Sequence, residues 1–312
     1  MNKKLFGYIV FAAMAWIIFR ASPDSIDKAM VKVLFSAEAE KGCFTLDNIT
    51  YSMCSNEIPL EPLMAGQKEN LQQIFSQPFH FIKAGKQSYA FMSDDGQTVL
   101  KFLKKHYLFP LPRAYLNFPP LSFCKTFLLS HFNAASIRFN EAARGYQMGY
   151  DKLKDETGIL YLHFHPTDNI QQKVCLVDIY GRKFFADLDT SYFVLQKKAD
   201  LLHVKVSELM LDGKEDESKE CLKSVLRMIA HRLQQGIVDH DHGIRKNYGF
   251  IEGRAVQIDI GDVSMDAGVE SGFAFQRELE HVAKKLKLWV AREHPSLCST
   301  IDEELHCILD KQ

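Results

Sequence analysis

The chain has 312 residues, 46% hydrophobic and 25% charged, which is enough apolar material for a full core and excludes a wholly disordered protein. The formal net charge of −1 gives no electrostatic reason to expect nucleic acid as the main partner. Seven scattered cysteines, an odd number without a C-x-x-C pair, exclude a complete disulfide framework and read as reduced thiols.

Met1 to Lys4 is basic, and Leu5 to Phe19 is an unbroken apolar run followed by Arg20. The run is short for a spanning helix and lacks a small-x-small cleavage site near its end, so residues 1–22 are expected to be an uncleaved hydrophobic anchor helix. Lysine bias alone would place the N-terminus in the cytoplasm and the body outside. Residues 23–78 form a helical connector, with an amphipathic helix over Ser25 to Gly42 and another near Gln67 to Ser76.

From Phe79 the period changes to two. FHFIKAG, SYAFMSDDG and TVLKFLKK read as three strands, with Asp95-Gly96 as a hairpin turn between the second and third. Lys101 sits on the third strand. Residues 106–136 contain Pro110, Pro112, Pro119 and Pro120 among many aromatic residues, which prevents continuous helix and marks an insertion. It would pack on the body or lie at a membrane interface.

Ser136 to Lys154 reads as a helix with Glu141 near its start. GILYLHFH, KVCLVDIYGRKFFADL and SYFVLQKKA return to strands, with a turn at Tyr180-Gly181. Asp212 to Ser218 is a charged loop, and Glu220 to Gln235 a helix with Leu222, Val225, Leu226, Ile229 and Leu233 on its apolar stripe. After Gly236 a polar loop carries Asp241 and Asn247. GFIEGRAVQI reads as two short strands joined at Gly253, followed by Asp259. Two helices close the chain, Phe275 to Glu293 and Ser299 to Leu309.

The stretch Gly236 to Gly261 resembles the catalytic and metal-binding loops of the protein-kinase-like superfamily, which includes small-molecule kinases. GIVDHD stands against a GIxHxD pattern, with Asp239 at the histidine position, and Asp259-Ile260-Gly261 against the DFG-type triplet. The spacing from Asp241 to Asn247 is one residue longer than the pattern. The resemblance covers about residues 79–295. It implies a two-lobed α+β fold: a small lobe over 79–200 and a reduced large lobe over 201–312.

By that resemblance Lys101 is the phosphate-gripping lysine, with Glu141 as its partner. Gly85, Gln87 and Ser88 stand in for the glycine-rich loop, and the backbone around Gln196 and Lys198 lines the nucleotide base. Asn247 and Asp259 are metal ligands for Mg²⁺, and Asp241 orients the acceptor hydroxyl. The implied activity is transfer of the γ-phosphate of ATP to an acceptor that the sequence does not identify. An ATP-dependent site and reduced thiols favour a membrane-attached body facing the cytosol, against the lysine bias. Two alternatives stay open. One is a scaffold of the same fold with little or no catalysis. The other is a hydrolase whose metal is held by His163, His165, His240 and His242 with carboxylates.

Overall fold

The structure, a computed structural model, describes residues 44–50, 65–85, 87–104, 140–241 and 243–311. The chain divides into two units, Met1–Thr45 and Leu46–Gln312, and the account below concerns the second. The expected anchor, the helix over 25–42, the insertion at 106–136 and His242 lie outside the described residues. Among the described residues no helix is long and apolar enough to cross a membrane.

A helix α1 (Ala65–Ile74) precedes three antiparallel strands, β1 (Phe79–Ala84), β2 (Ser88–Ser93) and β3 (Thr98–Leu103). The β2–β3 turn closes at Gly96, whose φ of 69° is a left-handed conformation that glycine enters without cost. Hydrogen bonds from Ser93, Gln77 and the Gln97 amide hold the Asp95 carboxyl below its usual pKa, a good sign that the turn is fixed. Next come a helix α2 over 140–152 and one further turn, α3 (Lys154–Thr157), ended by Gly158 in the left-handed region at φ 63°.

Four more strands follow: β4 (Ile159–His163), β5 (Lys173–Val177), β6 (Lys183–Asp187) and β7 (Phe193–Lys197). All seven join one curled sheet in the order β4-β7-β3-β2-β1-β5-β6. Only β1–β5 is a parallel pair; the other ladders are antiparallel. Alternation along each strand sends Phe79, Phe91, Phe102 and Phe193 to one face, where they are fully buried and their rings stack against one another and against Phe75. The opposite face carries Lys101.

The second layer is helical. A short strand β8 (Asp200–Leu201) leads into α4 (Leu202–Leu211) and α5 (Glu215–Gln234), and α7 (Gly272–Glu293) and α8 (Cys298–Leu309) complete it. Between α5 and α7 lie β9 (Ile237–Asp239), the one-turn α6 (Ile244–Asn247), the hairpin β10 (Tyr248–Ile251) and β11 (Arg254–Gln257), and β12 (Val263–Met265), which pairs with β9. The α5 stripe named from sequence is completely buried, packed with Phe275, Leu279, Leu286 and Val290 of α7.

Several elements differ from the sequence reading. Helix α5 starts at Glu215, so the charged loop shrinks to a turn at Asp212–Lys214, and Glu215, Asp216 and Glu217 become first-turn acids opposite the helix dipole. Helix α7 starts at Gly272. Helix α4 was given no element at all. Its Val204 and Val206 suggest a strand, but Leu202, Val206 and Leu209 bury a helical stripe instead. The mixed α+β architecture and curled sheet are consistent with a kinase-like fold.

Candidate functional site

The site lies where β3, α2, the α5–β9–α6 loop and the end of β11 meet. Lys101 projects from β3 on the face opposite the phenylalanine core. Only 9% of it is exposed, and its ammonium donates to the Ile258 carbonyl at 2.6 Å. Burial pulls its pKa from the usual 10.5 down to about 8; the Asp259 charge opposes that, and nearby Lys83 reinforces it. Residues 157 positions apart are thereby joined at the residue directly before Asp259.

The β10–β11 hairpin aims that carboxylate. Its two-residue turn places Glu252 at φ 51° and Gly253 at φ 81°, the left-handed pair that tight hairpins require. At its open end the Ile258 amide donates to the Asn247 carbonyl at 2.6 Å. Asn247 is buried, and its side-chain amide donates to the Asp241 carbonyl at 3.1 Å, leaving its side-chain oxygen as an acceptor. The one-turn α6 ends at Asn247. Asp241 and Asp259 are both exposed. At Gly243 a Cβ would stand 3.2 Å from an Asp241 carboxylate oxygen and 3.1 Å from the Asn247 amide nitrogen, so glycine keeps these groups close.

Beneath the two loops is a buried polar network that the sequence did not announce. Asp239 accepts the Asp241 amide at 2.9 Å, the Gln257 amide at 2.8 Å and the Tyr248 hydroxyl at 3.3 Å. Gln257 also donates to the Asp259 carbonyl at 3.0 Å. Arg232 of α5 donates to the Gln257 side-chain oxygen and to the Tyr248 hydroxyl, and lies 3.5 Å from Asp239. Burial pushes the Asp239 carboxyl up to about 6, with Arg232 opposing. Asp239 thus joins the Asp241 loop to the Asp259 segment through Gln257.

Helix α2 meets the site differently from expectation. Glu141 is exposed, and among the described residues Lys101 makes no ion pair with it. The face turned inward carries Ala142, Gly145, Tyr146 and Gly149, and Glu141 falls off it by one position, about 100° around the helix. At Gly145 a Cβ would stand 2.5 Å from the Ile260 carbonyl oxygen, and at Gly149 3.0 Å from the Ile260 side chain. The two glycines therefore let the helix backbone rest on the segment around Ile260. Between them the Tyr146 hydroxyl donates to Asp259 at 3.1 Å. Burial, followed by the Asp259 charge, pushes the tyrosine pKa well above its usual value, so it stays a donor.

The remaining sequence candidates divide. Gly85 and Ser88 close the β1–β2 turn through a 2.8 Å backbone bond, and Lys104 donates to the Gly85 carbonyl at 2.6 Å. The Gln87 side-chain oxygen lies 3.7 Å from where a Cβ on Gly261 would stand, so the turn reaches the segment after Asp259. The backbone assigned to the base is otherwise engaged. The Lys197 and Lys198 amides donate to Gly158 and Gln97, each at 2.8 Å, and the Gln196 side chain is buried on the Thr157 carbonyl. The sheet has taken these donors because β7 runs centrally between β3 and β4.

Of the described histidines, His163 and His165 stand with their rings 6.4 Å apart. His163 is fully buried, with its ring nitrogens on the Ser191 carbonyl and the Thr167 hydroxyl, and burial lowers its pKa to about 4. His240 meets Ser264 at 2.8 Å. Among the described residues no group of three His, Cys, Asp or Glu side chains is placed to hold a metal ion.

No family model matches the chain, and neither does any curated protein. Among solved structures it is similar to the bifunctional kinase-methyltransferase WbdD, at 14% identity and a TM-score of 0.34 over 70% of this chain and 42% of that one. It is also similar to Rv3197 of Mycobacterium tuberculosis, solved with erythromycin, at 13% identity and a TM-score of 0.37 over 94% and 68%. The chain thus spans less than half of the WbdD structure. Likeness at this level carries no argument about activity, which rests on the side chains.

Proposed function

We propose that the chain is a kinase-like phosphotransferase moving the γ-phosphate of ATP to a hydroxyl acceptor. The observation that carries this reading is the junction of Lys101 with the Ile258-Asp259 segment, beside Asp241 and Asn247. A buried cation, two exposed carboxylates and a spare amide oxygen on one rim suit a substrate that arrives with phosphates. Lys101 would grip phosphate oxygens, and Asp241 would accept the hydroxyl proton and orient the nucleophile. Asp259 and Asn247 offer hard oxygen donors that fit Mg²⁺, and Gly243 leaves the loop compact around them. When bound, that ion would supply charge neutralisation for the phosphates. Gln257 and Tyr146 would hold Asp259 in place from two sides. The body would face an ATP-containing compartment, attached to a membrane through residues 1–22.

Two observations favour a second reading, a scaffold of the same fold with little catalysis: Glu141 is exposed, and the Lys198 amide is spent on Gln97. Calorimetric titration of the full chain with ATP, with and without Mg²⁺, separates the two. The phosphotransferase reading expects Mg²⁺-dependent binding that Asp259→Asn weakens. Asp241→Asn should leave binding nearly intact and slow transfer. Absence of binding, or binding indifferent to Mg²⁺, would leave the scaffold.

A further inference from the structure

The β5–β6 hairpin widens the sheet beyond β1, and register fixes which way it faces. Lys101 pairs with Ala90, and Met92, two residues along β2, pairs with His80; His80 pairs with Val177, and Val177 with Lys183. Directly paired residues share a face, so the face that presents Lys101 continues across β1 onto the hairpin. There it carries Lys183 and Phe185, and on β5 Lys173 and Cys175. Lys183, Phe185 and Lys173 are exposed. Beyond the ladder the turn exposes Ile179 and Tyr180, and Ile82 of β1 is exposed two residues past its last β5 pair. Phe185 and Ile179 are each 61% exposed and Tyr180 is 69% exposed.

Phe185 stands on this face with Lys173 and Lys183, which share it with Asp187, the direct cross-strand partner of Lys173, and Ile179 and Tyr180 stand in the turn that ends it. Neither Lys173 nor Lys183 makes an ion pair among the described residues, whereas Arg182 is held by Asp178 at 2.6 Å and lies over the Tyr180 ring. Strands twist by roughly 20–25° from one to the next. Over the four steps from β3 to β6 that twist amounts to about a right angle, so the hairpin stands to one side of Lys101.

We propose that this face of the β5–β6 hairpin docks on an anionic membrane surface, with Ile179, Tyr180 and Phe185 entering the headgroup layer and Lys173 and Lys183 meeting lipid phosphates. Charge complementarity selects that occupant. Aromatic and aliphatic tips beside unpaired lysines match an interface that is apolar below and anionic above. Docking would hold the sheet face that carries Lys101 toward the bilayer. The inference does not depend on phosphotransfer.

Amide exchange of the full chain tests it, read on peptides spanning 173–187, in phosphatidylcholine vesicles and in the same vesicles doped with phosphatidylglycerol. Any apolar N-terminal attachment is common to both. The expected result is added protection only with the anionic lipid. Each lysine near such a surface is worth about fivefold, so Lys173→Glu with Lys183→Glu should lower the added protection on the order of twentyfold or more. Phe185→Ser should lower it with charge unchanged. Exchange in β2 and β3 of the same samples reports whether each variant is folded, and ATP binding by both should match the parent. Equal protection in neutral vesicles overturns the proposal. So does protection that rises with protein concentration alone, which would make a second copy the occupant. Survival in the double glutamate variant does the same.

Discussion

Lys101→Met should change how stability depends on pH, in a direction that burial dictates. In the folded chain the ammonium titrates near 8, against 10.5 for a free lysine. Between those values the unfolded chain holds the proton more firmly than the folded one, so stability rises with pH across the window. Below about 8 the folded protein carries the whole cost of a buried ammonium. The gap corresponds to roughly 3 kcal/mol, at about 1.4 kcal/mol per pH unit. Methionine keeps the apolar stem and removes the charge. It also strands the Ile258 carbonyl, at about 1 kcal/mol, but that loss does not vary with pH and drops out of the comparison. Urea midpoints of both proteins, converted to free energies from about pH 7 to 10.5, give the measurement. The parent should gain roughly 3 kcal/mol on the variant over that range. Parallel curves would refute the burial of Lys101 beside Asp259. Phosphate binding should oppose the same penalty, so ATP affinity of the parent should fall as pH rises past 8.

Tyr146→Phe keeps the ring against Gly261 and removes the donor to Asp259. It should leave the unfolding midpoint within about 1 kcal/mol and raise the Mg²⁺ concentration needed for ATP binding, seen by calorimetry. Gly145→Ala puts a methyl 2.5 Å from the Ile260 carbonyl oxygen. Helix α2 must then shift, at about 1–3 kcal/mol, with faster amide exchange over 259–261; unchanged exchange there would contradict the docking. Gln257→Leu should cost about 1–3 kcal/mol by leaving Arg232 and Asp239 without their shared amide. It should also lower turnover more than ATP affinity, since both loops lose one support; equal losses would count against the linkage.

Much of the sheet was legible because local signals agreed. Period-two alternation, Asp95-Gly96 and Tyr180-Gly181 located the strands, and the stripe from Leu222 to Leu233 located α5. The site was legible in part. Asp241, Asn247 and Asp259 announce themselves by residue type and order, whereas their supports do not. Glu141 drew attention because a carboxylate is conspicuous on a helix. The phase of that helix is set instead by Gly145 and Gly149, whose signal is the absence of a side chain. A small-residue pair at i, i+4 flanking a tyrosine was the available clue, and its meaning depends on knowing what packs there. Gln257 ends a strand and reads as a solvated residue until Asp239 is seen beneath it. The hydrogen bonds that occupy the Gln196 side chain and the Lys198 amide were not legible for another reason: the order of strands across a sheet is not written in any one of them.

The network under the loops shows what kind of stability the site has. Arg232 is almost fully buried, and two of its nitrogens, Nε and Nη2, have no hydrogen-bond partner among the described residues. Its distance to Asp239 is 3.5 Å, and the carboxyl sits near 6 even so, because desolvation outweighs the attraction. A buried pair of this kind contributes little to net stability, and an apolar replacement of the same volume can do as well. What an apolar replacement lacks is direction. Asp239 fixes the Asp241 amide, Gln257 fixes the Asp259 carbonyl, and Arg232 fixes Gln257, so the two exposed carboxylates are set by one rigid cluster. Tyr146 of α2 and Lys101 of β3 then reach the Ile258-Asp259 segment from the other side. The costly polar groups are concentrated where orientation matters, beneath two loops that must keep a fixed separation, while the two large cores rely on aliphatic and aromatic packing.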